Sequence, residues 1–119
     1  MTAAPIASWD DAVACALALP GTELSTSYGK PAVRVAANGR AFLHVGREPD
    51  TSFVVEIDRD TVEILKETDP DSFWQTAHYQ GWPAVLVRYD SADPERVHDV
   101  IARAHEQAAA RKPARARRK

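Results

Sequence analysis

Cysteine is almost missing from this chain: Cys15 is the only one in 119 residues. A single thiol excludes an internal disulfide framework and suits a reducing, cytoplasmic setting. No apolar run reaches the roughly 18 residues of a membrane span, and the first residues carry Asp10 and Asp11 rather than a basic stretch, so no secretory signal is expected. Metal-ligand spacing is lacking as well. Of four histidines only His98 and His105 share an expected helix, and they stand two turns apart, as solvent-facing side chains. There is no Gly-rich phosphate loop, no G-x-S-x-G elbow and no nucleophile beside a base, so neither a cofactor nor a catalytic centre is expected. Cys15 falls at the margin of an apolar helix face with no base suggested near it, and is expected to be a small packed residue.

What is present is one domain's worth of ordinary globular composition, 45% hydrophobic and 27% charged. The net charge of −2 hides a division. Of 15 basic side chains six lie in the last nine residues (Arg111, Lys112, Arg115, Arg117, Arg118, Lys119), so residues 1–110 hold nine against 17 acidic ones and carry −8. An acidic body repels polyanions at long range while the tail attracts them.

The pattern along the chain predicts an α+β fold: an antiparallel sheet with helices packed mainly on one face, in two layers. Residues 1–8 are expected to be disordered, 9–110 to form the single domain, and 111–119 to be a basic disordered tail. Ser8 reads as an N-cap for a helix from Trp9 to about Ala18, with Trp9, Val13, Ala16 and Leu17 on one face and Pro20-Gly21 as the stop. Strands are expected over 32–37 and 40–46. Between them Asn38-Gly39 predicts a two-residue type I′ turn, placing Val35 opposite Phe42 and Val33 opposite His44. Phe42 and the Leu43/Val45 pair demand cover on opposite faces, so periodicity does not choose between them. A further strand is expected over Ser52 to Ile57, then a helix begun by Asp60 and Glu63 with Val62 and Leu65 inward. Phe73-Trp74 begins a short strand, and Ala84 to Tyr89 forms another. Asp93-Pro94 opens a last helix with Val97, Val100, Ile101, Ala104 and Ala108 on one face.

The stretch from Gln75 to Arg88 is the one on which function can be read. A loop carrying His78, Tyr79, Gly81, Trp82 and Pro83 feeds the apolar run Val85-Leu86-Val87. That loop reads either as a turn whose aromatics pack over the sheet edge, or as a stacking platform beside Arg88 and Lys30. In the second reading nucleic acid would meet Lys30, Arg34 and Arg40 around the hairpin, His78, Tyr79 and Trp82 on the loop, Arg88, and the tail cations Arg111, Lys112, Arg115, Arg117, Arg118 and Lys119. A protein- or small-ligand-binding module with the His78–Trp82 loop as a pocket wall is the alternative.

Four segments, Leu19-Pro20-Gly21-Thr22-Glu23, Ser27-Tyr28-Gly29-Lys30-Pro31-Ala32, Thr76-Ala77-His78-Tyr79-x-Gly81-Trp82-Pro83-Ala84-Val85-Leu86-Val87-Arg88 and Asp93-Pro94, together resemble the MmcQ/YjbR family. The likeness extends from Trp9 to Arg111, and the third segment is its most specific part. It implies a CyaY-like α/β domain from small bacterial proteins labelled DNA-binding. Binding through projecting β-elements, no cofactor, no metal and no known catalytic centre are also implied. A cytoplasmic monomer with DNA as its partner and no membrane association is the resulting expectation.

Overall fold

The computed structural model describes residues 4–27 and 29–112. Its elements run α1 (Trp9–Leu17), β1 (Thr22–Ser27), β2 (Lys30–Val35), β3 (Ala41–His44), β4 (Ser52–Glu56), α2 (Arg59–Thr68), β5 (Phe73–Trp74), β6 (Ala84–Arg88) and α3 (Pro94–Ala109). The strands make one antiparallel sheet in the order β1-β2-β3-β4-β6-β5. All helices bury their apolar faces in a single core with one face of that sheet. The fold is therefore α+β, and among the described residues the other sheet face is free of helices.

α3 packs as its periodicity dictates: Val97, Val100, Ile101, Ala104 and Ala108 are buried, Asp93 caps it and Pro94 fills its first turn. His98 and His105 are half-buried rather than solvent-facing, because each reaches a carbonyl across the helix layer. His98 Nε2 lies 2.8 Å from Ala4 O and His105 Nε2 lies 2.9 Å from Pro20 O. α1 is capped by Ser8, whose Oγ accepts from Asp11 N at 3.2 Å. Its buried residues are Ala12 and Ala16, while Leu17 is 39% exposed. The small side chains face the core and let the helix sit close. The expected disorder of residues 1–8 does not extend over residues 4–8. Ile6 is 5% exposed in the core, and its carbonyl accepts from Asp90 N at 2.9 Å.

The α2 cap lies two residues earlier than Asp60. Asp58 Oδ2 accepts from Thr61 N at 2.9 Å and its Oδ1 from Thr61 Oγ1 at 2.7 Å. The Gln107 amide both donates to Asp58 Oδ1 and accepts from Asp58 N, tying α2 to α3. Burial works to raise the Asp58 pKa, but hydrogen bonds from the Thr61 and Gln107 side chains and the Thr61 N–H outweigh it and bring it below the usual carboxylate value. A lowered folded-state pKa contributes stability above the unfolded value, lost as pH falls through the folded one. Acid titration of stability, followed by urea midpoints below about pH 4, should accordingly be steeper in the wild type than in Asp58→Asn. At neutral pH, Asp58→Ala should cost about 0.5–2 kcal/mol, as for other lost caps.

The tight hairpin lies one strand earlier than Asn38-Gly39. Ser27 pairs with Lys30, so β1 and β2 form a tight hairpin, with Gly29 at φ +79°. The segment Thr22–Ser27 is thereby a full strand at the sheet edge. The Asn38-Gly39 connection is longer, spanning residues 36–39: Gly39 N donates to Val35 O and Val35 N to Arg40 O, both at 2.9 Å. Gly39 has φ +72° and Asn38 does not have positive φ, so the turn is not type I′. What Asn38 does is tertiary. Its Nδ2 donates to Ala108 O at 2.7 Å and Arg111 O at 3.2 Å, satisfying carbonyls at the end of α3, while its Oδ1 accepts from Arg40 N at 3.0 Å. Asn38→Ala should cost about 1–2 kcal/mol, with faster amide exchange confined to the last turn of α3.

The register corrects accordingly. Val33 faces Leu43, Ala32 faces His44 and Arg34 faces Ala41, which leaves Phe42 as the extra residue of a bulge. The bulge resolves the conflict over cover. Phe42 and Leu43 are adjacent, yet both enter the helix-side core, Phe42 edge-on to His105 on α3 at 5.5 Å between ring centroids.

Candidate binding groove

On the helix-free face, register aligns Ala32, His44, Val54, Leu86 and Trp74 across five strands. Val54, Ala84 and Leu86 form a small second core there, closed by Trp74 and Tyr79. Two loops produce that closure. Residues 45–47 cross one side, where a Cβ on Gly46 would stand 2.8 Å from Val54 Cγ2, so only glycine lets the backbone lie this close. Residues 75–83 cover the other side, and one side chain organises them. Gln75 Nε2 donates to Tyr79 O at 2.9 Å, Trp82 O at 3.0 Å and Ala84 O at 2.8 Å. Gln75 Oε1 accepts from Lys66 Nζ at 2.9 Å, which holds the amide in place from α2.

Between the two loops lies a groove of about 600 Å³ lined by Ser27, Lys30, His44, Gly46, Arg47, Glu56, His78, Tyr79 and Trp82 among others, a size that suits a small ligand. Strand order places Lys30 of β2 on one side, His44 of β3 and Glu56 of β4 in the middle, and the 78–83 loop entering β6 on the other side, while Arg47, on the loop leaving β3, is near enough to Tyr79 for its charge to act on the phenol. Trp82 is 63% exposed, an uncovered indole on the groove wall. His78 stands edge-on to Tyr79, with centroids 4.8 Å apart. Lys30 Nζ donates to Gly46 O at 3.2 Å. Glu56 Oε2 lies 3.4 Å from His44 Nε2, and His44 Nδ1 lies 3.3 Å from Val45 O. Burial raises the Tyr79 phenol pKa, the Glu56 carboxylate raises it further and the Arg47 guanidinium opposes them, so the phenol stays a neutral donor.

The structure divides the expected contact residues. Lys30, His78, Tyr79 and Trp82 meet at this groove. Arg34 is paired with Glu23 at 2.6 Å. Arg88 Nε donates to Asp71 O at 2.6 Å, and its guanidinium lies 5.2 Å over the Trp74 ring. Arg40 is at the other end of the β2–β3 pairing from Lys30, with its Nε donating to Lys112 O at 2.7 Å. Arg40, Arg111 and Lys112 thus gather where the hairpin meets the end of α3, and the 36–39 turn is drawn back onto that helix rather than projecting. Arg115, Arg117, Arg118 and Lys119 lie outside the described residues. Three groove residues carried no sequence signal of a site: His44, Gly46 and Glu56. They come from β3, its continuation and β4, and only register brings them beside the loop.

Cys15 does have a base beside it, contrary to expectation: its Sγ lies 3.4 Å from His98 Nδ1. With His98 Nε2 as donor to Ala4 O, Nδ1 is the acceptor and the thiol the donor. Burial pushes the thiol pKa up, which opposes thiolate formation, so the pair reads as packing. Among the described residues no group of three or more His, Cys, Asp or Glu is placed to hold a metal ion. No helix described is long and apolar enough to cross a membrane.

These features define a class: a small two-layer α+β domain whose helix-free sheet face carries an aromatic groove. The YjbR family model matches residues 17–107, and the chain belongs to that family. No curated protein and no solved structure matches it.

Proposed function

We propose that this protein binds nucleic acid without catalysing a reaction, as a cytoplasmic monomer, and that the groove on the helix-free sheet face is its contact surface. The observation that carries the reading is that a 63% exposed Trp82 lines the same groove as Lys30 and Arg47. An uncovered indole supplies a stacking face for a base, and cations in the same groove supply the phosphate partner. Arg47 makes no hydrogen bond or ion pair among the described residues, which leaves its guanidinium for a ligand. The six cations after residue 110 add attraction that does not depend on sequence.

The test separates the two contributions in the full-length chain. Replacing Arg115, Arg117, Arg118 and Lys119 by glutamine should weaken binding to oligonucleotides and reduce the log K against log salt slope by about 3, at roughly 0.7–0.9 per phosphate. In that background Trp82→Ala should lower the remaining affinity at low salt by about 10-fold or more, as expected for one lost stacking partner. A tail-neutral protein with no affinity for any oligonucleotide at low salt would sink the reading. The alternative is a module for a protein or small ligand, favoured by the Glu56 carboxylate in the groove and the −8 body.

A further inference from the structure

We infer that the groove takes one unpaired base of a single strand and that Glu56 selects guanine there; this rests on the nucleic-acid reading above. Duplex sequence is read by convex elements, a helix or a two-stranded ribbon, entering a groove of the DNA. The surface here is the reverse, a concavity between two loops, and it admits a base only when that base is out of the stack. The β2–β3 turn is fastened to the end of α3 and the residues after it by Asn38 on Ala108 O and Arg40 on Lys112 O, each at 2.7 Å. The −8 body also penalises the dense charge of a duplex more than that of a single strand.

Base identity follows from the floor. Glu56 is only an acceptor when ionised, and its Oε2 lies 3.4 Å from His44 Nε2. Guanine presents N1–H and N2–H side by side, two donors for one carboxylate. Adenine and cytosine offer an amino group next to an acceptor nitrogen. Thymine and uracil offer one imino N–H between two carbonyl oxygens, which a carboxylate repels. With the base stacked on Trp82 and its edge on Glu56, the adjoining phosphate falls to Lys30 and Arg47.

The experiment uses the full chain and fluorescently labelled thymine-tract oligonucleotides that differ only in one central base, with the duplex of each as a second arm. The single strand with one guanine should bind about tenfold or more tighter than the all-thymine strand, in line with a bidentate base contact, and tighter than its own duplex. Glu56→Gln, with its fold checked by circular dichroism, should abolish the preference for the guanine strand over the all-thymine strand. Glu56→Asp, which withdraws the carboxylate, should reduce the preference. Equal affinity for guanine and thymine strands, tighter duplex binding, or a preference that survives Glu56→Gln would each overturn the inference while leaving nucleic-acid binding in place. Failure of every strand to bind at low salt would overturn both.

Discussion

Gln75→Glu should detach the 75–83 loop and empty the groove of its aromatic wall, at a cost of about 2–4 kcal/mol. The amide nitrogen of Gln75 is the common donor to three carbonyls, of Tyr79, Trp82 and Ala84. A carboxylate at the same place has no proton to give and sets a negative oxygen against three carbonyl dipoles. Lys66 would remain a partner for that carboxylate, so the side chain need not leave, but the loop loses its anchor. Gln75→Ala should cost less, since it removes the donor without adding repulsion and water can enter. The urea midpoints of both variants measure the loss. Amide exchange at Trp82 and Ala84, whose own N–H groups donate to Tyr79 O and Trp82 O at 2.8 Å, locates it. Loss spread evenly over the sheet would mean that the loop and the core open together. Oligonucleotide affinity at low salt should fall with the loop, even though Gln75 itself carries no charge.

Ile101→Ala should cost about 2–5 kcal/mol, the range for emptying a fully buried aliphatic site. Ile101 is 0% exposed at the centre of the α3 stripe, and Ala104 beside it is equally buried. α3 covers β2, β3 and β4 and reaches α1 as well, so the void has walls from several elements and little freedom to collapse. The loss should appear in the denaturation midpoint with the m-value unchanged, because the surface exposed on unfolding is nearly the same. A loss under about half a kcal/mol would mean that the neighbouring chains fill the space. The substitution is remote from the groove, so the fraction of protein that is folded should bind oligonucleotides as the wild type does.

Local pattern was enough for the elements that the chain builds from near neighbours. The spacing of Val97, Val100, Ile101, Ala104 and Ala108 predicted both the extent of α3 and its buried face, and Ser8 and Asp93 marked helix starts by the chemistry of a single side chain. The short Phe73-Trp74 strand and the apolar run of β6 were likewise legible, and so was the α+β class, since helices and strands follow one another in an order that suits an antiparallel sheet. Tertiary structure decided what needed partners distant in sequence. Asn38-Gly39 is a strong hairpin signal locally, yet Asn38 is held by the carbonyls ending α3, and the turn opened to four residues to let it reach them. Phe42 and Leu43 could not both be buried by a period-2 strand; one bulged residue, set by the packing of β3 under α3, made it possible. Ile6 was indistinguishable from a loose end until Asp90 and the core gave it cover. The groove was half visible, in His78, Tyr79 and Trp82 on one loop. Lys30 was legible beside it, but the floor, His44 and Glu56, exists only as a register, because adjacency across a sheet depends on how strands pair and twist, and a residue's own neighbours in the chain carry no record of that.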